Sequence, residues 1–152
     1  MRLATPILFA GLLALQSAAA RAEPAPTGEM SPAYGTCMDA AGGVTHAMLD
    51  CIHAEIERQD AELNAIYGRA MENLAGLSDA DVRREGLRNA ERAWIAYRDA
   101  TCAFLGTPFH LGTFESVLVA DCVAQMTAER VRWLALHAFD PPLEFDLEPV
   151  RK

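Results

Sequence analysis

Four cysteines, four histidines and a set of carboxylates are the groups that could do chemistry in this 152-residue chain. Cys37, Cys51, Cys102 and Cys122 are even in number and widely spaced. A zinc site needs close pairs such as C-x-x-C and haem attachment needs C-x-x-C-H; neither occurs, so the four read as two disulfides formed in an oxidising compartment. Four cysteines allow three pairings. Cys37 with Cys51 and Cys102 with Cys122 are favoured, because each closes a local loop beside an expected helix end. On the chain-entropy model each loop contributes roughly 3 kcal/mol.

His46, Asp50, His53 and Glu57 follow one another at steps of four, three and four, which stacks them on one helix face. A metal could in principle sit there, but helix surfaces often produce such runs, and the sequence offers no further convergent ligand. A solvated polar face, with no metal and no cofactor, is the expected reading. His110 and His137 stand in no motif. Asp60 is more conspicuous, since it falls inside an apolar stripe between Ile56 and Leu63, and Arg98 lies one turn beyond Trp94 on a second stripe. A carboxylate beside a cation can be a catalytic acid with its electrostatic partner. An ion pair that fixes the register of two helices is the stronger reading. No G-x-S-x-G, phosphate-binding glycine loop or H-E-x-x-H is present, so the chain is expected not to be an enzyme.

These residues need long helices to position them. Leu87, Ala90, Trp94, Tyr97 and Thr101 recur at three- and four-residue steps and form one helix face, with Trp94 and Tyr97 expected in the core. An earlier stripe from about Thr45 runs through Met48, Ile52, Ile56, Leu63, Ile66, Tyr67, Ala70 and Leu74. Gly76 is placed to end that helix in a left-handed cap, and Ser78 followed by Asp81 resembles a capping box that opens the next. So short a link makes the two helices antiparallel neighbours. Residues equidistant from Leu77 then face each other, which sets Asp60 opposite Trp94. Arg98 is about one turn, roughly 6 Å, farther along, a gap its side chain can span, so Asp60 and Arg98 are expected to pair. Beyond a loop at 106–112, Val119, Val123, Met126, Arg130 and Leu134 mark a third helix from about Glu115 to Ala138. The expected architecture is all-α, an antiparallel three-helix bundle with two disulfides.

The ends are different in kind. Residues 1–22 open on Arg2, run through an apolar segment and close on Ala20, Arg21 and Ala22, as a secretory signal peptide does. The apolar run from Ile7 to Leu15 is too short for a bilayer span of about 20 residues, so no stable membrane insertion is expected after cleavage. Residues 23–36 are rich in Pro, Gly and Ala and read as a flexible lead-in; 37–138 hold the helical domain, and 139–152 form an acidic, proline-bearing tail. Of 13 Lys and Arg, cleavage removes Arg2 and Arg21, leaving 11 against 21 acids and a formal charge of −10. Such a surface repels nucleic acid and anionic lipid and favours cationic partners.

One ordered pattern gathers these residues: Cys37, Cys51, Asp60-x-x-Leu63-Asn64-x-x-Tyr67, Trp94-x-x-x-Arg98-x-x-x-Cys102, and Cys122 followed by Thr127, Arg130 and Leu134. It resembles the lysozyme inhibitor LprI N-terminal domain family over about Cys37 to Leu136. The resemblance implies a small secreted or periplasmic helical domain that binds and inhibits lysozyme. A basic c-type lysozyme would suit the chain's negative charge. The alternative is an envelope interaction or stress module that binds another periplasmic protein.

Overall fold

A computed structural model of the chain describes residues 28–109 and 112–137. Residues 1–22, expected to be a signal peptide, His110 and the expected tail of 139–152 lie outside the described residues. Among the described residues there are four α-helices where three were expected: α1 (Pro32–Ala41), α2 (Thr45–Ala75), α3 (Ala80–Gly106) and α4 (Phe114–His137), with a 3-10 turn at Thr107–Phe109.

The additional helix, α1, lies where the sequence reads as lead-in, so residues 32–36 of that segment are helical. Its start is chemically explicit. The Ser31 hydroxyl accepts the Tyr34 N–H at 3.0 Å, and Pro32 occupies the first turn, where a missing N–H costs nothing. Gly42 ends it in the left-handed region (φ 57°), and Gly43 continues at φ 81°. Ten residues are too few to display a period, which is why composition concealed it.

α2 is 31 residues long, about 45 Å at the usual rise. Its buried positions, Ile52, Glu55, Gln59, Ile66 and Ala70, keep helical spacing and form one stripe. The link to α3 is tight, as expected, but its chemistry differs. Gly76 stays right-handed (φ −82°), because a Leu77 N–H to Leu74 carbonyl bond closes the turn without it. Asp79, not Ser78, occupies the N-cap position of α3, and its carboxylate makes no capping bond but is held by Arg83 at 2.7 Å.

α4 is the element on which the others converge. Ile52 packs with Val117 and Ala124 at one end, joined by Met30, Tyr34 and Met38, while Ile66 packs with Val131 and Leu134 at the other, joined by Leu63 and Leu87. α2 and α4 therefore run parallel, with α3 antiparallel to both. Cys37–Cys51 ties α1 to α2 with a Cα–Cα separation of 5.7 Å, and Cys102–Cys122 ties α3 to α4 at 5.6 Å, the pairing that local loop closure favoured. At Gly106 the helices approach so closely that a Cβ would lie 2.7 Å from Val119 Cγ2. Among the described residues no helix is long and apolar enough to cross a membrane.

Candidate functional site

Trp94 stands at the seam between α3 and α4, flanked by two cations. The Arg98 guanidinium lies 5.1 Å from the Trp94 ring centre and that of Arg130 lies 5.7 Å away; Arg130 is also 4.6 Å from the Trp133 ring. Cation–π contacts of this kind contribute about 0.5–2 kcal/mol each. Arg130 donates from Nε to both carboxylate oxygens of Glu91, at 3.1 and 3.3 Å, and again from a terminal nitrogen. Both side chains of that pair are only 13% exposed. Arg98 donates to Thr127 Oγ1 at 3.3 Å and to Asp99 at 2.9 Å, and the Thr127 hydroxyl in turn donates to the Val123 carbonyl.

The expected Asp60–Arg98 ion pair is therefore not made. Near the link, Leu63 of α2 and Leu87 of α3 both pack against the cluster of Ile66, Val131 and Leu134. Farther along, the Cys102–Cys122 bridge and the close approach at Gly106 draw α3 onto α4, so Arg98 meets Thr127 instead of α2. Asp60 is half-buried and forms no ion pair among the described residues. Of the other motif positions, Leu63 and Tyr67 are half-buried, Thr127 is fully buried and Asn64 is exposed. Tyr97, expected in the core, is 62% exposed, because α3 turns Trp94 and Arg98 toward α4 and leaves the Tyr97 ring at the edge of that contact.

A second polar cluster escaped the sequence reading. Glu55, 2% exposed, accepts hydrogen bonds from the Ser31 N–H (3.0 Å), the Ser31 hydroxyl (2.6 Å), Arg58 (2.5 Å) and Gln59 Nε2 (3.0 Å). Arg58 and Gln59 also donate to the Glu29 carbonyl, at 2.6 and 2.8 Å. Burial alone would raise the Glu55 carboxyl, but the bonds from Arg58, Ser31 and Gln59 prevail and hold it down at about 2. The segment 28–31 is thus strapped onto α2, and Gly28 (φ 63°) fits against Ala128 and Arg132 of α4. Tyr34 completes the strap: its hydroxyl donates to Asp121 at 2.5 Å, and burial followed by that carboxylate raises its pKa. The available signal was the position of Glu55 between Ile52 and Ile56, as conspicuous as that of Asp60.

Both buried carboxylates are engaged, Glu91 by Arg130 and Glu55 by Arg58, Ser31 and Gln59. Beside Glu55, Gln59 Oε1 and Glu62 Oε2 are buried without a hydrogen-bond partner. His46, Asp50, His53 and Glu57 are all exposed. Among the described residues no three His, Cys, Asp or Glu side chains are grouped closely enough to hold a metal ion. What the surface does offer is a groove of about 630 Å³ between α3 and α4, with Tyr97, Leu105, Phe114 and Met126 in its walls.

Comparison with known proteins agrees with the motif geometry. Residues 37–134 match the model of the family described as lysozyme inhibitor LprI. An uncharacterised protein of Rhizobium meliloti (strain 1021) is 34% identical over 88 residues, which span 53% of this chain and 63% of that relative. No solved structure matches the chain. The family match takes in both disulfides and the whole Trp94, Arg98, Thr127 and Arg130 cluster, and the chain belongs to the lysozyme inhibitor LprI family.

Proposed function

We propose that this chain is an exported, non-enzymatic inhibitor of lysozyme that acts by covering the enzyme's cleft. Family membership over residues 37–134 carries the reading. In it, residues 1–22 direct export and are removed, the helical domain of 37–138 acts in the periplasm or outside the cell, and residues 139–152 trail as an acidic tail. Two disulfides suit an oxidising compartment.

Charge supplies the second support. Without residues 1–22 the chain carries 11 Lys and Arg against 21 acids, a formal −10, and a basic c-type lysozyme would be steered onto it, with faster association at low salt than at high. Occlusion requires no cofactor and no reacting group, only a rigid surface. Two disulfides and the strapped N-terminal segment supply that rigidity, so little ordering free energy is lost on binding.

The alternative, an envelope module that binds another periplasmic protein, is favoured by one observation. Trp94, Thr127 and Arg130 are engaged in the α3–α4 seam and account for the fold without specifying a partner. Calorimetric titration of the oxidised chain into a c-type lysozyme separates the two. One-to-one binding that weakens between low and moderate salt is expected. No binding at either salt would remove lysozyme as the partner and favour the envelope module.

A further inference from the structure

The α3–α4 groove is apolar in its walls and acidic at its rim. Tyr97, Leu105 and Phe114 are 62%, 49% and 48% exposed, with Leu118 and Met126 between them. Asp121, Gln125 and Glu129 stand along the α4 side, and no Lys, Arg or His is among the lining residues. Asp121 is committed to Tyr34 and Gln125, at 2.5 and 2.6 Å. The exposed Glu129 carboxylate has no hydrogen-bond or ion-pair partner among the described residues. The walls cannot drift apart, because Cys122, itself a lining residue, is bonded to Cys102 on α3.

We infer that this groove is the docking surface for a cationic protein segment, one that presents an apolar side chain beside a lysine or arginine. The inference rests on reading the chain as a binding protein for a basic enzyme and names the face that would do the binding. The apolar side chain would fill the space beside Tyr97, Leu105 and Met126, and the cation would meet Glu129. Aromatic side chains in a preformed pocket are the usual anchors of protein interfaces. Charge selects the occupant. A second copy brings the same formal −10 once residues 1–22 are removed (11 Lys and Arg against 21 acids), and the chain's own tail, residues 139–152, brings four carboxylates against Arg151 and Lys152, so both would place like charge on an acidic rim.

Two probes test the proposal: a c-type lysozyme, followed by calorimetry, and a short synthetic Lys-Trp-Lys-Trp-Lys peptide, followed by amide shifts of the oxidised chain. Tyr97→Ala and Glu129→Lys are expected each to weaken lysozyme binding about tenfold or more with an unchanged melting temperature. Glu72→Lys, which makes the same charge change on the exposed face of α2, is expected to weaken it about twofold at most, through net charge alone. The peptide is expected to move the amides of Tyr97, Thr101, Met126 and Glu129.

If lysozyme binds and Tyr97→Ala and Glu129→Lys behave like Glu72→Lys, the groove assignment is wrong and the inhibitor reading stands. If lysozyme fails to bind while the peptide still maps to the groove, the inhibitor reading falls and the groove stands. If neither probe binds, both fall. Groove resonances that shift on dilution, or Overhauser contacts from residues 143–147 to Tyr97, would give the site to a second copy or to the tail and overturn the assignment.

Discussion

Arg130 on α4 grips both carboxylate oxygens of Glu91 on α3 while its guanidinium lies against the rings of Trp94 and Trp133. With both partners 13% exposed, this is a nearly buried ion pair, and removing one member strands the other in a poorly solvated place. Glu91→Ala is expected to destabilise the fold by about 3 kcal/mol, read by urea unfolding. Replacing both residues by Glu91→Leu and Arg130→Met should cost less than the sum of the single changes, because no charge is then left unpaired.

The Glu55 cluster predicts a pH dependence with a definite sign. The folded carboxyl titrates at about 2 against an ordinary 4.5, so its contribution is fully present above about 4.5 and fades as pH falls toward 2. Arg58 is a third exposed and its pull is partly screened, which leaves a contribution on the order of 2 kcal/mol. Unfolding free energies measured from pH 6 to pH 2 should fall through that window. Glu55→Gln should be less stable at pH 6 and show a flatter profile; a variant profile parallel to wild type would contradict the assignment.

Gly28 tests the strap independently of charge. A Cβ there would collide with the Ala128 carbonyl and approach the Arg132 N–H to 2.6 Å, and its φ of 63° is strained for any L side chain. The obstacle is α4 backbone, which cannot swing aside. Gly28→Ala is expected to release residues 28–31 from α2 and α4, at a cost of about 2 kcal/mol. Faster amide exchange at Ser31 and Tyr34 would report the release, and unchanged exchange would contradict it.

The two bridges should differ in what they protect. Cys102→Ala with Cys122→Ala removes the staple that draws α3 onto α4, and each bridge contributes roughly 3 kcal/mol. Loss of the Arg98–Thr127 hydrogen bond, seen as faster exchange near Trp94, is expected from that variant. The same changes at Cys37 and Cys51 should leave the α3–α4 seam intact.

The long helices and both bridges were legible in the sequence, because apolar spacing persists over many turns and short cysteine loops leave few geometries. α1 was not, since Ser31-Pro32 is a start signal only two residues long and Tyr34, Met38 and Ala41 make too short a stripe for a period to emerge. The partner of Arg98 was misplaced for a tertiary reason. Sequence distance from a turn sets register near the turn, but the Cys102–Cys122 bridge decides which neighbour α3 approaches beyond it. Tyr97 illustrates the same limit: it shares a helical period with Trp94 and Thr101, yet one ring is half-buried and the other borders an open groove. Glu91 and Glu55 carried a readable signal, each a carboxylate within an apolar stripe, but spacing does not reveal which such carboxylate will find its cation.

The measurement that tests the central claim most directly is the residual activity of a c-type lysozyme titrated with the oxidised chain, at low and moderate salt, beside a reduced and alkylated control. The account predicts inhibition that saturates near one equivalent, weakens with salt and vanishes on reduction. Full lysozyme activity at high molar excess of the oxidised chain would contradict it.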